Sequence, residues 1–211
     1  GTYALNGGTL SLGFDATYLM TNVVNVLSNS TIIADRASSG AGGTLLSLST
    51  LTIGGNTLTL KAGENVTSGT IGLTLGAVSI GGVSMRPGNP TFDVQSTANA
   101  ATTLTLGALS DQAIAPRTIT FQNSGTAAST VALGTAGSLV DGTIVNIAST
   151  GGSLTLNLNI ASALGTLAQV SVGSGNTLSI GAAQTIGSLA GGGTVNASGA
   201  GFTLTIGNAL N

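Results

Sequence analysis

Six carboxylates, Asp15, Asp35, Glu64, Asp93, Asp111 and Asp141, and four cations, Arg36, Lys61, Arg86 and Arg117, are all the charged side chains in this sequence of 211 residues. The acids are spread along the chain at broadly similar intervals. If the chain coils with a matching period, acids from neighbouring turns could share one face. Two carboxyls about 5 to 9.5 Å apart would then flank a glycosidic bond as acid and base or nucleophile. Their local settings read instead as turns. Ser110-Asp111-Gln112 and Val140-Asp141-Gly142 carry the small polar and glycine residues of loops, and Asp35 followed directly by Arg36 reads as a solvated corner. A lone calcium ion at Asp93 or Asp141 would need six or more oxygens, and the Gly-Gly-x-Gly-x-Asp repeat of calcium-binding β-rolls is missing from the sequence. We therefore assign no catalytic, cofactor-binding or metal-ligating residue and no cofactor.

Other chemistry is excluded by composition. The sequence has no Cys and no His, so Ser-His-Asp and Cys-His constellations are out, and any metal site would be built of oxygen alone. Gly-x-Ser-x-Gly, P-loop and Gly-x-Gly-x-x-Gly patterns do not occur among the 34 glycines. The four cations stand singly and the formal net charge is −2, so there is no basic stripe for nucleic acid or an anionic membrane surface. No apolar run is long enough to span a bilayer as a helix. The sequons at Asn29, Asn65 and Asn196 read as chance matches in a chain rich in Asn, Ser and Thr.

What must position any site is visible in the repeat. Leu-Thr-Leu and its variants begin at Leu10, Ile32, Leu58, Val78, Leu104, Val131, Leu154, Leu178 and Leu204, at nearly even steps. Self-similarity at a step of this size signals a solenoid. Alternation along each strand sends Leu58 and Leu60, Leu104 and Leu106, Leu204 and Ile206 inward, and the flanking threonines outward. A second set runs through Val24, Leu51, Leu73, Phe92, Ile119, Val145, Val170 and Val195. A third, weaker set runs through Leu46, Val66, Met85, Ile114, Leu139, Leu164, Leu189 and Leu210.

Between the sets lie Gly54-Gly55-Asn56, Gly151-Gly152 and Gly173-Ser174-Gly175-Asn176, read as corners where glycine and asparagine accept positive φ. The expected fold is all-β: a right-handed parallel β-helix of about nine rungs of ~24 residues with three faces per rung. Residues 1–211 form a single solenoid domain in this reading. An antiparallel barrel or sandwich is the competing architecture, since short, evenly spaced strands with turn signals between them suit it too. Residues 161–169, with clustered Ala, Leu and Gln, are the one place for a helix, against which Gly165 and Thr166 argue.

The segments from Gln184 to Val195, from Gly201 to Gly207 and from Leu164 to Ile180 resemble the autotransporter-associated β-strand repeat of bacterial surface proteins, and the likeness in style extends over nearly the whole chain. The resemblance implies a right-handed passenger-type β-helix, secreted or attached to the cell surface, often within a much longer chain. It implies no catalytic residue.

The function expected from the sequence is thus structural or adhesive, not enzymatic: an extracellular or cell-surface fibre. Gly1 to Leu10 and Thr203 to Asn211 both read as rung sequence rather than caps, so rungs are expected to continue at both ends, within a longer chain or by strand pairing between copies. Only 5% of residues are charged, which suits walls that pack against neighbours, a surface polysaccharide or a matrix. Two alternatives are a carbohydrate-active β-helix enzyme of the lyase or hydrolase kind, and an ice-binding solenoid using outward Thr57/Thr59, Thr103/Thr105 and Thr203/Thr205.

Overall fold

A computed structural model describes residues 1–82, 85, 87–112, 115–198 and 201–207. All regular structure among the described residues is β, with no helix. Three main sheets account for most strands, and every strand pairing within them is parallel. Sheet 1 has five strands, from Thr2–Asn6 to Leu109–Asp111. Sheet 2 has eight, from Thr9–Gly13 to Ser188–Ala190, and sheet 3 has eight, from Tyr18–Leu19 to Thr194–Ala197. Up to Ser129–Leu133 the chain visits sheets 1, 2 and 3 in turn and returns each time to sheet 1 beside its previous strand; beyond that point the strands of the main sheets alternate between sheets 2 and 3. This is a solenoid-like arrangement compatible with a parallel β-helix, and its parallel ladders rule out the antiparallel sandwich and barrel.

Strands form here because apolar residues alternate with Thr, Ser and Asn, which suits a strand with one buried side. In sheet 3, Leu46, Leu73, Leu104, Val131, Leu156 and Leu178 are successive register partners and all are buried. Leu48, Leu75, Leu106, Leu133, Leu158 and Ile180 form a parallel column two positions on. Sheet 1 contributes Val24, Leu51, Val78 and Leu109, and sheet 2 contributes Leu58, Phe92, Phe121, Ile147 and Val172. These columns meet in one apolar cluster running through the stack, each large side chain contributing on the order of 1.5 to 3 kcal/mol of burial. Phe92 and Phe121 stack with ring centroids 5.4 Å apart.

The repeat is real, but its sets do not each follow one face. Leu10, Ile32 and Leu58 lie in sheet 2, Val78 in sheet 1, Leu104, Val131, Leu154 and Leu178 in sheet 3, and Leu204 in a separate two-stranded sheet with Gln184–Ile186. The second set likewise moves from sheet 1 at Val24 and Leu51 to sheet 3 at Leu73, sheet 2 from Phe92 to Val170, and sheet 3 again at Val195. In the third set Leu46 is in sheet 3, Val66 pairs in a short sheet with Gly40–Ala41, and Leu189 is in sheet 2; Met85, Leu139 and Leu164 lie outside strands, and Ile114 and Leu210 are outside the described residues. The cause is unequal turn length. The turn that brings Leu60 beside Val94 is twice as long as the one that brings Leu178 beside Val195. Counting forward by a constant period therefore lands on a different sheet after each long or short turn.

At most of the quoted corner glycines the physical route differs from the positive φ expected. Among the described glycines in the three quoted corners, only Gly175 has positive φ, at 78°. At Gly55 a Cβ would stand 2.8 Å from the Gly88 backbone, and at Gly152 it would overlap the Ala127 carbonyl and lie 2.8 Å from Asn123 Nδ2. These positions need glycine because stacked corners touch backbone to backbone. Alanine at Gly175, which has open space around it, should cost about 1 kcal/mol. At Gly152 it should cost about 2 kcal/mol or more by forcing the rungs apart. Denaturant midpoints of the two variants, compared with the parent, measure the difference.

Residues 161–169 are not helical. Residues 161–164 make a turn in which Ser162 takes φ 54°, and Gln169 already begins the strand Gln169–Val172. Gly165, which argued against a helix here, follows the turn at φ 79°.

Candidate functional site

Of the six acids only Asp15 and Asp35 are brought to one corner. Asp15 and Asp35 come to neighbouring corners at the ends of Thr9–Gly13 and Ser30–Asp35. There Asp15 accepts hydrogen bonds from Ser38 N at 3.0 Å and Ser38 Oγ at 2.7 Å, and Arg36 Nη2 lies 3.4 Å from Asp15 Oδ1. The Ser38 amide and hydroxyl, with the Arg36 charge behind them, hold the Asp15 carboxyl below its ordinary value. Asp35 Oδ1 accepts from Arg36 N and Asn65 N, and Asn65 Nδ2 donates to Arg36 O at 2.9 Å. Arg36 also donates to Ser38 O and Ala41 O. This Asp-Arg corner is a hydrogen-bonded clasp across three turns of chain, and the carboxylates are occupied in holding backbone. The sequon residue Asn65 belongs to it.

Asp93, buried on sheet 2, accepts from Ser124 N, Ser124 Oγ at 2.7 Å and Gln95 Nε2 at 2.9 Å. Asp111 is not in a loop. It ends the strand Leu109–Asp111 with its side chain fully buried, and its Oδ2 lies 3.1 Å from Arg117 Nε. Glu64, Lys61 and Asp141 are exposed, Asp141 in a turn as read from the sequence, and Arg86 is outside the described residues. Among the described residues no group of three or more Asp or Glu could hold a metal ion.

The threonine pairs also separate. Thr57 and Thr59 are on sheet 2, Thr103 and Thr105 on sheet 3, and Thr205 on the two-stranded sheet, so they share no common array. Sheet 3 does carry an outward column of register partners, Thr103, Thr130, Thr155, Thr177 and Thr194. The column beside it is broken by Ala132, Asn157 and Asn196.

Buried amides were missed as structural groups. Asn123 is fully buried where sheet 2 turns toward sheet 3; its Nδ2 donates to Ala127 O at 2.6 Å and Ser153 O at 2.9 Å, and its Oδ1 accepts from Gly125 N at 2.8 Å. Asn176 accepts from Ser149 Oγ and Leu154 N, and Gln184 bridges Ala163 N and Ile160 O. Asn56 donates to Val26 O one turn below. These side chains saturate backbone groups that a corner would otherwise bury unpaired.

An open cleft of about 840 Å³ lies outside sheet 1, and its lining includes Thr52 and Ser79 from the sheet, Asn89 from one long corner, and Gln112, Pro116 and Arg117 from the next. No carboxylate is among its described lining residues. A signal for it was present in the sequence: all three prolines, Pro87, Pro90 and Pro116, fall in these two corners, against a background of near-uniform rung composition.

No family model matches the chain, and searches of curated proteins and of solved structures found no match either.

Proposed function

We propose that this chain is a structural β-helix of the cell exterior, right-handed and of about nine rungs, that extends end to end as a fibre or stalk and has no catalytic activity of its own. The observation that supports this reading is the state of the outer strands. At one end Tyr18–Leu19 is the last strand of sheet 3, and at the other Thr194–Ala197 is. Tyr18 and Leu19 are exposed at the first edge, and Val195, Phe202 and Ile206 at the second. Among the described residues neither strand has a ladder partner beyond it, and parallel edges with exposed apolar side chains are templates for a further strand. In this reading a second copy of the chain supplies that strand.

Sparse charge supports packing of the walls against neighbours or a matrix, because few charged gatekeepers oppose it. Right-handedness follows from the preference of parallel crossover connections. The engagement of Asp15, Asp35, Asp93 and Asp111 with backbone groups or arginine, and a cleft with no carboxylate among its described lining residues, favour a scaffold over an enzyme of glycosidic bonds. Among the described residues no helix is long and apolar enough to cross a membrane.

Electron microscopy and sedimentation of the purified chain test the assembly. Filaments with a strand repeat of about 4.8 Å along their axis, shortened or abolished by Val195→Pro at the edge, are expected. A monodisperse 20.2 kDa monomer at all concentrations would overturn the proposal for copies of this chain.

A further inference from the structure

We propose that the cleft outside sheet 1 binds a neutral oligosaccharide on the wall of the rod, whether or not the rods assemble. The argument starts from corner length. In the first turns of the stack, sheet 1 passes to sheet 2 through short corners: Thr2–Asn6 to Thr9–Gly13, Val23–Ser28 to Ser30–Asp35, and Leu51–Ile53 to Thr57–Ala62. The same corner then runs from Ile80 to Thr91, and in the next turn from Asp111 to Thr118. Insertions that recur at one corner of a solenoid put loops on one face, and such a face is often the binding one. Here Asn89 of the first corner and Gln112, Pro116 and Arg117 of the second stand beside the outward face of sheet 1, where Thr52 and Ser79 are register partners and form the floor.

The walls are braced. Arg117 pairs through Nε with the fully buried Asp111 and donates from Nη1 to Gly88 O at 3.1 Å, which ties the second loop to the first. Gly81 makes room for it, since a Cβ there would stand 3.2 Å from Arg117 Nη2. Three prolines stiffen the same segments. A surface that orders its loops before binding loses less entropy on binding.

The lining sets the ligand class. Thr52 and Ser79 offer hydroxyls, Asn89 and Gln112 offer amides that both donate and accept, and the Arg117 charge is balanced by Asp111. Groups of this kind match a ligand whose own surface is mainly hydroxyl and uncharged. The volume, about 840 Å³, falls in the range of small-molecule sites. The floor residues come from adjacent strands about 4.8 Å apart, so a chain of sugar rings laid along the stack meets a hydroxyl on each strand.

Calorimetric titration of the whole chain with neutral hexasaccharides of β-1,4-glucan, β-1,3-glucan and mannan, and with the acidic hexagalacturonate, tests this. At least one neutral probe should bind, and Ser79→Trp, which fills the floor from an outward position, should weaken that binding at least tenfold, about 1.4 kcal/mol. Gln112→Ala, on an exposed loop residue, should weaken it with the unfolding midpoint unchanged, so that a loss of fold cannot mimic the result. Failure of every neutral probe, binding of hexagalacturonate alone, or undiminished binding to Ser79→Trp would each overturn the proposal. None of these outcomes depends on whether filaments form.

Discussion

Replacing Phe121 by alanine should destabilise the protein by about 3 to 5 kcal/mol, the largest loss expected from any core truncation here. Phe121 is fully buried in sheet 2, with Phe92 before it and Ile147 after it as register partners, and it stacks on the Phe92 ring. Removing the ring takes away its transfer energy and leaves a cavity between rungs whose backbones are held by ladders on both sides. Those ladders limit collapse, so the cavity term stays. The effect should also be local in its origin: parallel stacks are stabilised by nearest-neighbour contacts, so hydrogen exchange should rise most in Thr91–Gln95, Thr118–Asn123 and Ile144–Ser149. Chemical denaturation supplies the energy and exchange supplies the map. A loss under about 1 kcal/mol would mean that the two aromatic rungs are not the packed centre they form in this structure.

Asn123→Ala should come close to the same size, about 4 kcal/mol, although it removes only a small polar side chain. The amide joins three backbone groups, Gly125 N, Ala127 O and Ser153 O, at a site with no solvent exposure. Each group left buried without a partner costs about 1 to 3 kcal/mol. Asn123→Asp keeps the acceptor for Gly125 N but loses both donors and buries a charge beside two carbonyls, so it should be no milder at neutral pH and should recover in part as the carboxyl is protonated in acid. Thermal melts of both variants across pH distinguish this from a simple loss of volume. A mild Asn123→Ala variant would show that water can enter the corner and replace the amide.

Asn123 and Phe121 illustrate how differently the two kinds of information were carried. The phenylalanine was legible as an inward residue because it sits two positions from Ile119 in an alternating strand. The asparagine was not, because a buried corner Asn and a solvated turn Asn have the same neighbours in sequence; only the stacking of Ser153 and Ala127 above and beside it tells them apart. The same holds for Asp111, which follows Ser110 as a loop aspartate would, yet meets Arg117 inside a corner. It holds too for Gly152, where the need for glycine comes from a neighbouring rung and not from its own φ.

By itself the sequence determined that the chain is predominantly β, that its strands have one apolar side, that they recur in a repeating order, and that Cys-, His- and basic-patch chemistry is impossible. Each of these follows from residue types and from alternation at a spacing of two, which is local. Only the tertiary structure decided which residues share a face. Turns that differ twofold in length, as between the Leu178–Val195 and Leu60–Val94 pairings, set the stacking, and a period read as constant drifts from sheet to sheet. The tertiary structure also set Asp15, Asp35 and Asp93 to holding backbone groups, paired Asp111 with Arg117, and joined two proline-bearing corners into a cleft, because stacking brings together residues about one rung apart, and the length of each rung is fixed by its pairing.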